Sequence, residues 1–439
     1  MPCAVLLSGL IGFMPVASGT VAPGDEIARL VEALADDAFA RREAAQQQLI
    51  ETGVVIEPQL RRALSESRNE EQRSRLETIL KRIAEDAIIG PTRVTLSVEN
   101  LSAVTAIREI AQQTGVKLQL YPIDLWQTDA APPVTIDARR SPLWLVVRQL
   151  CEQLALEPSV NDDGLRLVPS TGCGLARGPG TVAGPLLVSA ARITRLQAID
   201  FSQGGTRNDE FTLSFNVLAE PKLRVMPGPA AVQLTEAIDD AGNSLLPGRD
   251  TPEVSYNSGG PAWSFATRLR YPTDPPGKRI DRLAGVITLP VAVRFATLEL
   301  TDITAAGPHV MTAAVVAEEP GESPRFAVRN VTQTGERWEV SLSAVAPRGR
   351  QDEFNRLQQM LYNPDVRLLD ETGRSILRSS GPNFTSSDVP NSLYMTLVFD
   401  RNLSDGRPAP GPARRLVWRV PVETRQIALP FEIRNLPMP

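Results

Sequence analysis

Apolar residues between positions 26 and 86 recur at intervals of three and four, which predicts four short helices. A shift of 30 residues aligns the apolar positions in the first half of this segment with those in the second half. The aligned pairs include Leu30 with Leu60, Leu34 with Leu64, and Leu49 with Ile79. This offset indicates a repeat of two helix pairs. Because two units are fewer than a free-standing solenoid needs, we expect a four-helix cap or a segment that packs on a neighbour.

The pattern changes after Gly90-Pro91, where alternating and helical stretches follow one another. Alternation predicts strands at residues 94–98, 116–120, 134–136 and 165–168, and helical spacing predicts helices at 102–114 and 142–154. A hairpin around Asp162-Asp163-Gly164 joins one more strand to the last of these. The sequence therefore predicts a small mixed domain with the element order βαββαββ.

The C-terminal half consists of short strand-like runs bounded by Gly, Pro, Asn and Asp, and it follows a Gly- and Pro-rich linker at residues 171–185. Three blocks recur in this half in the same order. They are 240–246 with 371–377, 286–291 with 417–422, and 298–303 with 431–436. These matches predict two tandem antiparallel β-sandwiches. Their closing strands should turn alternate residues to the core, Leu298 and Leu300 in the first and Phe431 and Ile433 in the second.

Two of these segments resemble known families. The strand Val94-Thr95-Leu96-Ser97-Val98, the helix that runs into Thr114-Gly115-Val116, the second strand and helix, and the closing Gly164-Leu165-Arg166-Leu167 resemble the short N-terminal domain of secretins and TonB-dependent receptors. The helical segment before it, with Ala40-Arg41-Arg42-Glu43-Ala44-Ala45, resembles HEAT-type repeats. The first resemblance implies a periplasmic, sheet-bearing protein-interaction module. No other part of a secretin or receptor is recognisable in the chain, which argues against a direct transport role.

Charge and motif content narrow the function. The 46 basic and 51 acidic residues give a net charge of −5, which offers no general attraction to nucleic acid or anionic lipid. The single histidine, His309, lies in a loop-like Gly-Pro-His run. We expect it to be an exposed linker residue and not a catalytic one. The common hydrolase and zinc signatures are absent from the sequence. We therefore expect no catalytic residue, no cofactor and no metal site.

The N-terminal residues predict export. An apolar run from Ala4 to Ala17 precedes small residues that suit signal-peptidase cleavage between about Gly19 and Asp25. The alternative is a short apolar segment at the start of a cytosolic protein. No later stretch reaches the roughly 18 apolar residues of a membrane span, so we expect no integral membrane segment.

Two small sets of residues are candidates for specific roles. Removal of a signal segment would leave Cys151 and Cys173, which could form a disulfide in an oxidising compartment or remain two unpaired small hydrophobes. Tyr121, Trp126 and Trp144 lie in or beside the mixed domain, where aromatic side chains can anchor a partner or simply belong to the core or its rim.

Together these patterns predict a multidomain α+β protein with an N-terminal helical repeat pair, a small βαββαββ domain and two tandem antiparallel β-sandwiches. The expected segments are a signal segment (1–24), HEAT-like helical repeats (25–90), a secretin/TonB short N-terminal-like domain (91–170), a linker (171–185), β-sandwich 1 (186–304), a linker (305–324) and β-sandwich 2 (325–439).

This layout favours a non-catalytic periplasmic or cell-envelope scaffold that binds an unidentified envelope or periplasmic protein. Two alternatives stay open. One is a periplasmic component of a secretion or TonB-type uptake system. The other is a carbohydrate-binding protein or hydrolase with a site between the sandwiches.

Overall fold

A computed structural model gives the fold of the chain from residue 23 to residue 439. It does not describe residues 123–125, 127–130, 162–163, 171–177, 204, 249–252, 258–259, 273–274, 302, 304–310, 315–324, 348, 350, 363, 386–389 and 403–408. The described chain divides into two compact units, one ending at Ala87 and one beginning at Ile88. It is mostly β, with several sheets and few helices, which agrees with a multidomain α+β protein.

The first unit is helical. Its elements are α1 (Pro23–Ala33), α2 (Phe39–Thr52), a 3₁₀ turn (Gly53–Ile56), α3 (Glu57–Glu66) and α4 (Glu70–Ile89). Leu34, Leu49, Leu60, Leu76 and Ile79 are fully buried between these helices, as their spacing predicts. An ion pair also connects α4 to α2, because Arg75 Nη1 lies 2.7 Å from Glu43 Oε1.

The second unit begins with a mixed region. Its elements are β1 (Arg93–Ser102), α5 (Ala103–Thr114), β2 (Leu118–Leu120), β3 (Pro133–Pro142), α6 (Leu143–Leu154), β4 (Leu156–Asn161) and β5 (Gly164–Pro169). Strands β1 and β3 pair antiparallel, while β2, β5 and β4 form a three-stranded sheet in that order. The elements follow one another in the order that the hydrophobic pattern predicts. Both helices bury an apolar face, and Leu143, Val147 and Leu150 of α6 are completely enclosed.

The two βαβ halves of the mixed region share several local details at an offset of 40 residues. Gln113 of α5 binds the backbone of Thr95 in β1, with Thr95 N to Oε1 at 3.0 Å and Nε2 to Thr95 O at 3.3 Å. Gln153 of α6 binds the backbone of Thr135 in β3 in the same way, with both distances 2.9 Å. Each glutamine amide therefore caps one strand with both a donor and an acceptor.

Two sets of strands follow, and each set encloses its own hydrophobic cluster. The first contains β6 (Gly180–Ala183), β7 (Leu186–Asp200), β8 (Thr206–Ala219), β9 (Gly228–Asp239), β10 (Glu253–Asn257), β11 (Ala262–Leu269) and part of β12 (Arg279–Thr301). The sheet β11-β8-β7-β6 packs on a layer formed by β10, β9, β12 and the last strand of the chain. The ring of Phe215 meets that of Phe431 edge to face between the layers, at 5.8 Å.

The second set contains β13 (Met311–Ala314), β14 (Arg325–Thr334), β15 (Arg337–Val345), α7 (Gln351–Tyr362), β16 (Asp365–Asp370), β17 (Ser375–Arg378), β18 (Asn383–Thr385), β19 (Ser392–Asp400) and part of β20 (Ala413–Pro437). One layer has the order β19-β15-β14-β13, and β17 joins it to the layer that contains β16 and β20. Trp418 and Phe326 pack edge to face in its interior.

The long strands β12 and β20 belong to both sets. They pair antiparallel through 21 register positions. The first half of β12, with Ile280 and Ile287, lies in the first cluster, and its second half, with Leu298, lies in the second cluster. Strand β20 does the reverse, because Trp418 lies in the second cluster and Ile433 in the first.

This exchange changes how the sequence halves map onto the clusters. The expected closing strands face hydrophobic interiors, since Leu298, Phe431 and Ile433 are buried and Leu300 is partly buried. However, residues 298–301 of β12 pack in the cluster of the later segment, and residues 431–436 of β20 pack in that of the earlier one. The ranges 186–304 and 325–439 therefore each contribute strands to both clusters. In addition, residues 180–183 of the expected linker form strand β6.

Candidate interaction surface

The three aromatic residues of the mixed region have different surroundings. Trp144 is fully buried, and its Nε1 donates a hydrogen bond to the carbonyl oxygen of Pro185 at 3.0 Å, so its indole offers no surface to a partner. Trp126 is partly buried against the core. The Tyr121 ring is 38% exposed, with the Arg166 guanidinium 5.6 Å from its centre. Tyr121 is thus the most accessible of the three.

Several other predictions fall on residues that the structure does not describe. Cys151 is buried in α6, but Cys173 lies outside the described residues, so the disulfide stays a prediction. His309 and the expected signal segment as far as residue 22 also lie outside them. No helix in the described part of the chain is long and apolar enough to cross a membrane.

A buried carboxylate joins the mixed region to the first strand set. Glu220 follows β8 and is fully buried, and its carboxylate accepts hydrogen bonds from Thr92 N at 3.1 and 3.0 Å and from Thr92 Oγ1 at 2.5 Å. Burial raises the pKa of Glu220, while Lys222, whose Nζ is 3.8 Å away, and the bonds from Thr92 oppose that rise. The hydrogen bonds between Glu220 and Thr92 connect the first strand set to the mixed region. The carboxylate is therefore structural and does not form an open site.

Two more buried carboxylates occupy matching turns. Asp239 ends β9, and its Oδ1 accepts the N–H groups of Ala241 and Asn243 at 3.1 and 2.7 Å. Its Oδ2 accepts the N–H of Gly277 at 2.8 Å. The side chain is 1% exposed.

Asp370 ends β16 and repeats this arrangement 131 residues later. Its Oδ1 accepts the N–H groups of Thr372 and Arg374, both at 2.9 Å, and its Oδ2 accepts the N–H of Gly411 at 2.7 Å. The third residue after each aspartate, Gly242 or Gly373, has a φ of 85° or 81°. Glycine adopts this left-handed conformation without the steric cost that a side chain would bring.

At both aspartates, the hydrogen bonds that the carboxylate accepts lower its pKa by more than burial raises it. Burial by itself would raise the pKa of Asp370, but the bonds from Thr372, Gly411 and Arg374 lower the pKa to about 2. The pKa of Asp239 is also lowered: burial alone would raise it, but hydrogen bonds from Asn243, Gly277 and Ala241 lower it. Both carboxylates therefore stabilise the turns that follow them. No group of three or more His, Cys, Asp or Glu residues that could hold a metal ion occurs in the described ranges.

A small cleft lies where the two strand sets meet. It holds about 350 Å³, part of which is open solvent, and Met226, Phe326, Met360 and Trp418 form its apolar lining. Asp365 is the only carboxylate among the described residues that line it, and it is 3.5 Å from Arg419. Hydrolysis of a glycosidic bond ordinarily uses a pair of carboxylates. The described lining of this cleft therefore offers one carboxylate and not such a pair.

Among the described residues of the second unit, the two most exposed large apolar side chains lie in the distal part of the β7–β8 hairpin. Strand β11 pairs with β8 only as far as Phe211, and β6 pairs with β7 only up to Ser189. Residues 196–200 and 206–210 consequently pair only with each other among the described residues. This stretch extends roughly 16 Å beyond its neighbouring strands.

The base of this distal hairpin is firmly braced. Arg195 donates from Nε and Nη2 to the two carboxylate oxygens of Asp209, at 3.0 and 2.6 Å, and Gln197 Nε2 donates to the same carboxylate at 3.0 Å. These hydrogen bonds lower the pKa of Asp209 to about 2, and the bond from Arg195 has the largest effect. The Arg195 guanidinium also lies 3.4 Å from the centre of the Tyr271 ring, which packs edge to face on Phe211.

Three large apolar side chains are exposed along the distal hairpin, from its base at Leu196 to its turn at Phe201. Leu196 is 59% exposed, Ile199 is 49% exposed and Phe201, in a single 3₁₀ turn after β7, is 84% exposed. Leu196 and Ile199 point to opposite faces of β7, because side chains alternate along a strand, so the hairpin exposes apolar groups on both faces. Exposed apolar surface of this kind is a candidate for a protein contact. The sequence pattern does not reveal this site, because Leu196 and Ile199 fit a strand pattern in which any apolar residue can be buried. The signal that could have found it is the absence of a strict alternation of apolar residues between Thr194 and Phe201.

Comparisons with known proteins give no match. No family model, no curated protein and no solved structure is significantly similar to the chain.

Proposed function

We propose that this chain is a non-catalytic protein-interaction protein of the bacterial cell envelope and that it binds through the distal β7–β8 hairpin. The observation that carries the proposal is the exposed apolar surface of the distal hairpin, with Leu196, Ile199 and Phe201, on strands that the Arg195–Asp209 ion pair holds together. A braced hairpin loses little conformational entropy on binding, and its exposed apolar side chains gain from burial.

The polar interior of the second unit also supports this function. The buried carboxylates of Glu220, Asp239 and Asp370 are occupied by hydrogen bonds within the chain. The apolar run followed by small residues near the N-terminus supports export, and the resemblance of residues 91–170 to the secretin and TonB short N-terminal domain supports an envelope setting.

Localisation is tested by fractionation. The full chain, tagged at its C-terminus, is produced in a Gram-negative host, and the protein is recovered from periplasmic and cytoplasmic fractions. We expect the periplasmic protein to begin between Gly19 and Asp25. Intact Met1 on protein confined to the cytoplasm would contradict the export half of the proposal.

Binding through the hairpin is tested in the same cells with a photo-crosslinking amino acid at position 201. The matched control carries it at Arg139, whose side chain is 87% exposed on β3 of the mixed region. We expect discrete adducts from position 201 that position 139 does not give. Equal adducts at the two positions, or none at 201, would contradict the proposed contact site.

A further inference from the structure

The outer edge of β7 is open along the distal hairpin. Strand β6 covers this edge only from Leu186 to Ser189, and the N–H of Ala190 donates to the carbonyl oxygen of Pro179 at 2.9 Å. From residue 191 to residue 200, no described strand pairs with this edge. An open strand edge is a template for pairing with another strand.

The direction of the backbone groups fixes which residues face that edge. The N–H of Ala219 donates to the carbonyl oxygen of Pro261, on the β11 side of β8. Backbone groups point to alternate sides along a strand, so Glu210 directs its groups toward β7, and its partner Leu196 directs its own toward β8. Arg195 and Gln197 consequently direct their N–H and C=O groups to the open edge.

The sequence along this edge is complementary to itself when reversed. Residues 192–200 read Arg-Ile-Thr-Arg-Leu-Gln-Ala-Ile-Asp. If two copies pair antiparallel with Leu196 opposite Leu196, the opposed positions are Arg192 with Asp200, Ile193 with Ile199, Thr194 with Ala198, and Arg195 with Gln197. Opposite charges and apolar pairs at directly opposed positions stabilise an antiparallel sheet.

This register also satisfies the backbone. The outward-facing groups of Arg195 and Gln197 then form hydrogen-bonded pairs, and Leu196 faces its counterpart in a non-hydrogen-bonded pair, where side chains are closest. A shift of one residue would place Arg192 opposite Ile199, or Ile193 opposite Asp200, and would lose every matched pair. The window of nine residues also ends where β7 ends and begins just past the edge that β6 covers.

We infer that the open edge of β7 binds the same edge of a second copy of this chain. The two-fold axis passes midway between the two opposed Leu196 residues, and the sheet β11-β8-β7 continues into its symmetry mate. The inference deepens the proposed function because it names a partner for the same hairpin. It is tested on purified protein, so its failure is distinguishable from a failure of the localisation or photo-crosslinking experiments.

Cysteine crosslinking tests the register directly. Directly opposed Cα atoms in a non-hydrogen-bonded pair are about 4.5 Å apart, within the range of a disulfide. We expect Leu196→Cys to form a disulfide-linked dimer under mild oxidation, above the background of the unmodified chain. Thr194→Cys and Ala198→Cys are the matched controls, since each lies four residues, roughly 13 Å, from its own counterpart.

Each control variant should fail to crosslink alone, and a mixture of the two should crosslink, because positions 194 and 198 oppose each other. Equal crosslinking of all three single variants would contradict the register. No disulfide dimer from Leu196→Cys would overturn the inference.

Charge reversal gives an independent measurement. Arg192→Asp should weaken the dimer at least tenfold by analytical ultracentrifugation, because it opposes two carboxylates. The double variant Arg192→Asp with Asp200→Arg should restore dimerisation. Circular dichroism checks that each variant is folded. A monomeric unmodified chain at tens of micromolar, or a double variant no better than the single one, would overturn the inference.

Discussion

At the scale of single residues, two aspartates carry out the same task in different strand sets. Asp239 and Asp370 each accept the N–H groups of the second and fourth following residues and of a distant glycine. Each therefore fixes its own turn and pins a second loop to it. The sequence repeat predicts that the turns at Gly242 and Gly373 are equivalent. It does not predict that the aspartates are buried, because carboxylates in turns are usually exposed.

Asp370→Asn should destabilise the protein at neutral pH. The amide group would place a donor against the N–H of Gly411 or of Arg374, so we expect a loss of about 1–3 kcal/mol in the free energy of unfolding. Asp137→Asn is the control, because that side chain is 69% exposed on β3, and it should change the free energy by less than about 0.5 kcal/mol. Urea denaturation at pH 7 measures both.

The effect of Asp370 should depend on pH in one direction. Its pKa falls from 3.8 to about 2 on folding, so the stabilisation is complete above pH 4 and is lost as pH falls toward 2. The gap between the unmodified chain and Asp370→Asn should therefore narrow over that window. A gap that stayed constant from pH 7 to pH 2 would contradict the role assigned to the ionised carboxylate.

At the scale of elements, the mixed region followed its hydrophobic pattern closely. Ser102 caps α5 by accepting the N–H of Thr105, and Gly115 ends that helix in a left-handed conformation, as their positions predict. Strand β6 was missed because its segment reads as a flexible linker. Gly180 is needed there for a different reason, since a Cβ at this position would lie 2.6 Å from the carbonyl oxygen of Val188 on β7.

The glutamine caps give a prediction at this scale. Gln153→Ala removes the donor and the acceptor that the side chain presents to Thr135, so the Thr135 amide should exchange with solvent faster, and stability should fall by about 0.5–1.5 kcal/mol. Gln113→Ala should have the same effect at Thr95. Gln112→Ala, an exposed neighbour on α5, is the matched control. Unchanged exchange at both threonines would show that the caps do not protect the strands.

At the scale of the whole β region, the exchange of β12 and β20 could not be read from the sequence. Alternation with a period of two shows which side chains share a face, and it does so correctly for Leu298 and Ile433. It does not show which strand lies alongside. The same apolar rows satisfy either two separate pairs of sheets or the observed arrangement, in which each long strand divides its length between two clusters.

The exchange predicts that the two sequence halves stay together when the chain is cut between them. A specific protease site is introduced in the segment between Ala314 and Arg325, and the folded protein is cleaved. We expect the fragments to elute as one species in size-exclusion chromatography, because β12 and β20 pair through 21 register positions and each cluster needs strands from both fragments. They should separate only in denaturant. The control is the same protein cleaved after unfolding, which shows where each fragment elutes alone. If native cleavage released two folded fragments, the ranges 186–304 and 325–439 would be independent domains, and the shared long strands would not hold them together.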